Sequence, residues 1–174
     1  AREGILRSDD RGETWSWEAR VATSSPVLCG FMPSSAVGSQ VLAGVSAGVL
    51  NIRNGLADLY QDGLGFLDST AVGIDSRQNQ VYALRRRTLY AARGDGTRWR
   101  PVDPTFGNVR VLSLSVDQTQ PRVLYAVTES GLFRSSDGGQ GWTSVKAPPG
   151  TARAVCADSS AVDVLYVGTS SGLF

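Results

Sequence analysis

The chain has 174 residues, 41% of them apolar, and a net charge of +1, which suits one folded domain and provides no overall field to attract nucleic acid or a membrane surface. It contains no histidine and only two cysteines, which excludes Ser-His-Asp and Cys-His catalysis, histidine-ligated zinc and a disulfide scaffold. The longest apolar run is too short to span a bilayer, so we expect no membrane span. We also expect no cofactor.

Taken in chain order, the predicted elements are short strands of alternating apolar and polar residues, and no segment carries a helical stripe of useful length. Two strands open the chain, starting near Gly4 and near Trp15. After an irregular segment at 54–66, the clearest strands are STAVGID, QVYAL and TLYAA within 69–92. VRVLSLSVD, VLYAV, GLFRS and WTSV follow within 109–145, and ARAVCAD, VLYVG and GLF within 152–174. Each set contains up to four strands separated by turn residues.

One spacing recurs along the chain. Trp15, Trp99 and Trp142 are 84 and 43 residues apart, which is two periods and then one period of about 42 residues. Apolar pairs before the turns share this spacing, so repeats begin near residues 4, 48, 88, 131 and 172. The aspartates that end the first strand of successive sets also follow it, and they are Asp75, Asp117 and Asp158.

Four antiparallel strands in each period of about 42 residues predict an all-β fold, a β-propeller of four-stranded blades. The chain then holds three complete blades plus partial blades at both ends, in a single domain over residues 1–174. An open arc would leave apolar blade faces in water, so three arrangements remain. The chain is an excerpt of a larger propeller, which we favour, or it closes on itself as four blades, or two chains complete one ring.

Two turns share the pattern Ser-x-Asp-x-Gly-x-x-Trp, in RSDDRGETW at 7–15 and RSSDGGQGW at 134–142. In such a turn a short aspartate side chain can accept the backbone N–H groups, and glycine supplies a positive φ. Hydroxyls add local bonds, and the tryptophan ring can cover the loop. The spacing lacks the alternating oxygen ligands of a calcium loop, so no metal site is predicted. We expect a structural role for Ser8, Asp10, Gly12, Thr14, Trp15, Ser135, Asp137, Gly139 and Trp142.

These turns resemble the Asp-box, or bacterial neuraminidase repeat (BNR), whose pattern is Ser-x-Asp-x-Gly-x-Thr-Trp. SDDRGETW matches it fully, and SSDGGQGW has Gly141 in place of the threonine. Residues 91–99 and 51–59 look like decayed copies, the second with Leu59 at the tryptophan position. The resemblance implies a propeller similar to those of sortilin-like receptors, photosystem II assembly factors and xyloglucanases, with the boxes as structural staples on the outer rim. It also points to an extracytoplasmic location.

That family includes receptors, assembly factors and glycoside hydrolases, so the fold does not transmit a function. The Phe-Arg-Ile-Pro signature of sialidases is absent, and no residue is assigned a catalytic role. We therefore favour a non-catalytic module that binds or scaffolds a protein or glycan partner. The alternative is a fragment of a sialidase-like or xyloglucanase-like propeller glycoside hydrolase that uses Asp or Glu carboxylates. A third hypothesis is self-association that completes a propeller ring.

One stretch of the chain is strongly basic. Six arginines against one aspartate give an excess of five positive charges over residues 85–100. An anionic partner such as phosphate, an acidic glycan or an acidic protein patch is one interpretation, and a solvated basic turn is the other. The candidate partner-binding residues are Arg85, Arg86 and Arg87 in a turn, with Arg93, Arg98 and Arg100 on the strands that follow.

The remaining candidates have simpler interpretations. Residues 93–95 spell an adhesion tripeptide, Arg-Gly-Asp, but they fall where a turn needs glycine and aspartate anyway. We expect the three repeated aspartates to cap turns rather than to line a catalytic site. Cys29 and Cys156 have apolar neighbours and are expected to be buried free thiols, and a disulfide between them would require their two blades to be adjacent, as in closure with four blades. The irregular segment at 54–66 is either a functional loop or a decayed fourth strand with a longer crossing, and Tyr60 is the residue in it that we would mutate first if a ligand were found.

Overall fold

The structure, a computed structural model, describes residues 4–20, 27–31, 40–45, 48–53, 56–60, 69–75, 77–85, 87–93, 98–103 and 109–174. These residues form β-strands and turns, and no helix occurs among them. In that part of the chain there is accordingly no helical segment able to cross a membrane. The strands are β1 (Gly4–Arg7), β2 (Ser16–Arg20), β3 (Val27–Phe31), β4 (Gln40–Val45), β5 (Gly48–Arg53), β6 (Leu56–Tyr60), β7 (Ser69–Asp75), β8 (Gln80–Arg85), β9 (Thr88–Arg93), β10 (Arg100–Asp103), β11 (Val111–Val116), β12 (Leu124–Thr128), β13 (Gly131–Ser135), β14 (Thr143–Val145), β15 (Ala152–Ala157), β16 (Leu165–Thr169) and β17 (Gly172–Leu173).

The strands are arranged in five antiparallel sheets, numbered here in chain order. Sheet 1 contains β1 and β2, sheet 2 contains β3–β6, sheet 3 contains β7–β10, sheet 4 contains β11–β14 and sheet 5 contains β15–β17. Within each sheet every strand pairs with the next strand in sequence. This confirms the predicted all-β fold, with three complete four-stranded blades and partial blades at both ends.

The alternation of side chains along β12 shows how one strand serves two neighbouring sheets. Leu124 and Ala126 are buried in a cluster shared with sheet 3. Tyr125 and Val127 point the other way and are buried in a cluster shared with sheet 5. The core therefore lies between consecutive sheets, and a strand inside the stack is apolar on both faces.

The first strands of successive sheets lie side by side, with β7 next to β11 and β11 next to β15. Between sheets 4 and 5 they are also hydrogen-bonded. The backbone N–H of Val155 donates to Oγ of Ser113 at 3.2 Å, and that of Ala157 donates to Oγ of Ser115 at 2.9 Å. Two serine hydroxyls of one sheet thus satisfy backbone donors of the next.

The turns between first and second strands are closed by aspartate side chains. Oδ1 of Asp75 accepts the backbone N–H groups of Arg77 and Gln78 at 3.1 and 3.0 Å. Asp117 and Asp158 each accept two backbone N–H groups in the same way. The prediction that these repeated aspartates cap turns is confirmed.

The segment around residues 48–60 differs from expectation. It is a hairpin in which β5 and β6 pair from Val49 opposite Tyr60 to Arg53 opposite Leu56, with two residues between the strands. Leu59 lies inside β6, so the structure bears out the alternative of a decayed fourth strand and not that of an irregular loop. The two intervening residues are Asn-Gly, the strongest short hairpin signal, which explains why a long loop is not needed. Residues 61–68 lie outside the described part of the chain.

The cysteines were expected to be buried free thiols. Cys156 is free but exposed, so the expected burial is wrong at this position. Its neighbours in β15, Val155 and Ala157, face sheet 4, and strand alternation turns the thiol to the opposite side. The backbone of Cys29 lies in β3, and its side chain lies outside what the structure describes.

Candidate anion-binding cleft

A cleft of about 920 Å³ lies between the outer strands of sheet 3 and the loop that joins β13 to β14. One wall is formed where β9 ends and β10 begins, because these strands run antiparallel and Arg100 pairs with Ala91. The other wall is formed by residues 137–140 of the loop in sheet 4. Two sheets therefore contribute to one site.

Four exposed arginines line this cleft: Arg93, Arg98, Arg100 and Arg122. Among the described lining residues the one carboxylate is that of Asp137, and its Oδ1 already accepts hydrogen bonds from its own loop. Guanidinium groups that converge without matching carboxylates favour an anionic ligand, because each can donate charge-assisted hydrogen bonds.

Arg122 holds the two walls together. Its backbone N–H donates to Oδ2 of Asp75 in sheet 3 at 2.9 Å, and its carbonyl accepts the N–H of Gly138 at 2.9 Å. Its Nη2 donates to the carbonyl oxygen of Asp137 at 2.6 Å. These bonds fix a backbone with a φ of 65°, a left-handed conformation that is costly for a residue with a side chain. The position of this guanidinium is thus set by both sheets.

The floor of the cleft includes Tyr82, which is almost fully buried. Burial raises the pKa of its phenol to about 12, with a further contribution from the charge of Asp75. The phenol therefore stays neutral. A Cβ at Gly138 would lie 3.2 Å from its hydroxyl oxygen, so the glycine allows the loop to approach the ring.

The loop beside the cleft, residues 135–142, is closed by its own side chains. Oγ of Ser135 donates to Oδ1 of Asp137 at 2.7 Å and accepts the N–H of Gly139 at 2.8 Å. The N–H of Gly141 donates to the same carboxylate oxygen at 3.0 Å, and this bond is the main reason that the pKa of Asp137 is lowered. Nε1 of Trp142 donates to the carbonyl of Gly139 at 3.1 Å.

The loop at residues 8–15 repeats this arrangement far from the cleft. Oγ of Ser8 donates to Oδ1 of Asp10 at 2.7 Å and accepts the N–H of Gly12 at 2.6 Å. Thr14 donates to Asp10 from both its backbone N–H and its hydroxyl. The hydroxyl bond is the largest cause of the lowered pKa of Asp10, about 2. Nε1 of Trp15 donates to the carbonyl of Gly12 at 3.1 Å.

The six arginines of the basic stretch are divided by the structure into two groups. Arg93, Arg98 and Arg100 reach the cleft, whereas Arg85 and Arg87 lie at the opposite end of the β8–β9 hairpin, about 15 Å away along a six-residue strand. Arg86 lies outside the described residues. Arg85 is half-buried, and its Nε has no hydrogen-bond partner within the described part of the chain.

The sequence did not indicate Arg122, which is distant from the basic stretch. It precedes the second strand of its sheet with a left-handed φ, as Asn79 and Asp163 do in the neighbouring repeats. Alignment of these turns could have singled out the position but not its contact with the cleft. Residues 94 and 95 of the adhesion tripeptide and the side chain of Tyr60 lie outside what is described.

No protein-family model matches this sequence, and no curated protein matches it. Solved structures do resemble it. The GH74 xyloglucanase from Xanthomonas campestris has a TM-score of 0.72 at 18% identity, over 98% of this chain and 33% of the enzyme. The GH74 enzyme from Niastella koreensis has a TM-score of 0.72 at 17% identity, over 99% of this chain and 33% of the enzyme. The β-propeller domain of Cps50 (Swd1) from Myceliophteria thermophila has a TM-score of 0.68 at 10% identity, over 100% of this chain and 63% of that domain.

These similarities show that the chain has a β-propeller fold. At 18% identity or less they carry no information about the reaction or the partner. The chain spans about one third of the length of the two GH74 enzymes.

Proposed function

We propose that this chain is a non-catalytic propeller module that binds an acidic segment of a partner protein in the arginine cleft. The observation that carries the proposal is the convergence of Arg93, Arg98, Arg100 and Arg122 on one cleft between two sheets. A cleft of about 920 Å³ is larger than a single inorganic anion needs and lies within the range of clefts that bind organic ligands.

The other lining groups fit a peptide. Gln80 and Gln140 supply amide groups that can both donate to and accept from a peptide backbone, and Pro101 and Val102 supply apolar surface. Acidic side chains of the ligand would pair with the arginines, and these contacts would steer association and weaken with added salt.

The loops at 8–15 and 135–142 have a separate role in this proposal. We infer that they are Asp-box turns that act as structural staples, supported by the Ser–Asp–Gly hydrogen bonds common to both. Their aspartates bond to their own loops, so they hold the strands in place rather than react with a ligand.

The test is a titration in which the protein is added to a fluorescently labelled Glu-rich peptide. The readout is the fluorescence anisotropy of the label. The triple variant Arg93→Gln, Arg98→Gln, Arg100→Gln is expected to weaken binding by roughly 10- to 100-fold. A matched control, Arg110→Gln, Lys146→Gln, Arg153→Gln, removes the same charge at exposed positions off the cleft and should bind nearly as the wild type does. Equal losses in both triples would show that only net charge matters and would contradict the proposal. Preference for a polyuronate over the peptide would assign the cleft to an acidic glycan.

The second candidate is part of a propeller glycoside hydrolase, which the fold shared with the Xanthomonas xyloglucanase favours. Incubation of the protein with xyloglucan, other β-glucans and sialosides distinguishes the hydrolase from the non-catalytic binding module. Release of reducing sugar that is lost with an Asp or Glu substitution, and not with the arginine triple, would overturn the non-catalytic assignment.

A further inference from the structure

The tyrosine on the floor of the cleft has a hydroxyl group without a partner. Tyr82 is 1% exposed, and no group among the described residues forms a hydrogen bond with its phenol oxygen. Because the phenol stays neutral, it keeps a hydrogen that it can donate to an acceptor from outside the protein. Buried polar groups are normally paired, and an unpaired one beside a cleft therefore points to a ligand.

The corresponding tyrosine of sheet 5 shows why the hydroxyl of Tyr82 is unpaired. Tyr166 occupies the same repeat position, and its hydroxyl donates to Oδ2 of Asp158 at 3.2 Å. In sheet 3 the equivalent oxygen is Oδ2 of Asp75, which accepts the backbone N–H of Arg122 from sheet 4 instead. The contact between sheets 3 and 4 occupies this oxygen, and the hydroxyl of Tyr82 is left at the cleft.

A small space beside Gly138 is bordered by two hydrogen-bond donors. A Cβ added at Gly138 would lie 3.2 Å from the phenol oxygen of Tyr82 and 3.5 Å from Nε of Arg122. This guanidinium donates to the loop through Nη2, and its Nε forms no hydrogen bond within the described part of the chain. A neutral hydroxyl and a cationic N–H beside one space are suited to bind an oxyanion.

The turn itself does not require glycine at position 138. In the loop at residues 8–15 the equivalent position is occupied by Arg11, which has a φ of 62°. Gly138 has a φ of 79°, so the two turns have similar backbones with and without a side chain. What the glycine adds is the open space between Tyr82 and Arg122.

Two carboxylates lie near this space, and both are already hydrogen-bonded. The charges of Asp75 and Asp137 help to raise the pKa of the Tyr82 phenol. Each carboxylate accepts at least two backbone N–H groups, which offset its charge. The four arginines of the cleft outnumber them, so the space remains favourable for an anion.

We propose that Tyr82 and Arg122 form an oxyanion subsite, in which the phenol hydroxyl and the Nε of Arg122 both donate to one acidic group of the ligand beside Gly138. The inference rests on the proposed function, because the rest of the acidic segment occupies the wider cleft. The acidic group is a carboxylate or the phosphate of a phosphorylated side chain, which share the oxygen acceptors that the subsite needs. Tyr82 is then the residue that selects a ligand with an acceptor at this point.

The test extends the anisotropy titration to Tyr82→Phe, which keeps the ring and removes only the hydroxyl. We expect this variant to weaken binding of the labelled Glu-rich peptide by roughly tenfold. Because the lost donor is neutral, the tenfold loss should change little with added salt, whereas the loss caused by the arginine triple variant should shrink. The same titration with one phosphoserine in the peptide identifies the acidic group. A larger loss for that peptide assigns the subsite to phosphate, and a larger loss for the Glu-rich peptide assigns it to a carboxylate.

Tyr125→Phe is the matched control. Tyr125 has the same repeat position in sheet 4 and is 4% exposed, but it does not line the cleft, so removal of its hydroxyl should leave binding unchanged. Gly138→Ala places a methyl group in the subsite and should weaken binding by the wild type. In the Tyr82→Phe background it should have little further effect, because both changes remove the same contact. Circular dichroism checks that all three variants remain folded.

The possible failures of the subsite and of the proposed function differ. Wild-type affinity in Tyr82→Phe, combined with weak binding by the arginine triple variant, would overturn the subsite and leave the acidic-segment proposal standing. Equal losses for Tyr82→Phe and Tyr125→Phe would also overturn the subsite, because the effect would then come from the stability of the sheets. If the wild type binds neither peptide, the proposed function and the subsite are both wrong.

Discussion

The loops at 8–15 and 135–142 have nearly the same internal hydrogen bonds and quite different surroundings. In each, a serine bonds to an aspartate and to a glycine N–H, and a tryptophan N–H donates to the carbonyl of that glycine. Loop 135–142 packs on sheet 3, with Ser135 fully buried and Trp142 half-buried. In loop 8–15 the ring of Trp15 is exposed, and no neighbouring sheet packs on it among the described residues.

The comparison separates what a loop specifies for itself from what a neighbouring sheet adds. The conformation is local, because eight residues contain the donors, the acceptors and the glycine that it needs. The burial of the ring and of the glycine comes from the sheet on which the loop packs. Identical substitutions in the two loops should therefore differ in effect by the contribution of that sheet.

The largest difference is expected for the two glycines. Gly12 and Gly139 have φ values of 95° and 93°, so alanine is strained at both. At Gly139 the added Cβ would also meet Leu89 at 2.4 Å in a packed cluster, whereas at Gly12 its nearest neighbour is the Trp15 ring at 3.8 Å. We expect Gly139→Ala to lower the free energy of unfolding by about 3 kcal/mol and Gly12→Ala by about 1 kcal/mol. Urea titration measures the free energy of unfolding of both variants. Equal losses would show that backbone strain alone determines the cost of the two substitutions.

The tryptophans should show the next largest difference. Trp142→Ala removes apolar contacts with sheet 3 and should cost about 2 kcal/mol, while Trp15→Ala removes one exposed hydrogen bond and should cost less than about 1 kcal/mol. Thermal unfolding monitored by circular dichroism provides the measurement. A cost for Trp15→Ala as large as that for Trp142→Ala would mean that ring burial on sheet 3 contributes little.

The smallest effect concerns the threonine that only one loop has. Thr14→Val removes the hydroxyl that donates to Asp10 and should raise the pKa of that carboxyl from about 2 towards 3.8. A folded-state pKa below the unfolded value stabilises the protein above the unfolded pKa, and this contribution disappears as the pH falls through about 2. The wild type should therefore lose more stability than the variant between about pH 4 and pH 2. Carboxyl NMR titration of Asp10 is the direct check, and an unchanged pKa would assign the shift to the remaining bonds, from the Thr14 N–H and the Ser8 hydroxyl.

Gly141→Thr is the reciprocal change in loop 135–142. A Cβ at Gly141 would lie 3.1 Å from Oδ2 of Asp137, which leaves room for the hydroxyl bond after a small shift. The pKa of Asp137 should then fall further below its usual range. A pKa that rises instead would indicate that the two loops are less alike than their shared bonds suggest.

The sequence was sufficient to predict the sheets because short apolar-rich strands recur at one spacing, and because the turns between first and second strands contain aspartates that accept backbone N–H groups. STAVGID at 69–75 matches β7, and Asp75, Asp117 and Asp158 cap the turns as their positions predicted. The hairpin of β5 and β6 was predicted only as one of two alternatives, since its register was inferred from the repeat rather than from its Asn-Gly pair.

The cleft was harder to predict because it joins residues that are distant in sequence. The basic stretch was recognised, but strand β9 separates its two ends, and only contact between sheets 3 and 4 brings Arg122 to Arg93, Arg98 and Arg100. The exposure of Cys156 has the same origin, since it depends on whether another sheet follows β15 on that side.

The two serine bonds between sheets 4 and 5 have a consequence for solubility. β15 pairs on one side only, with β16, so its other edge would present free backbone donors to any passing strand. Ser113 and Ser115 accept the N–H groups of Val155 and Ala157, and these two donors are therefore not available to pair with a strand of another molecule.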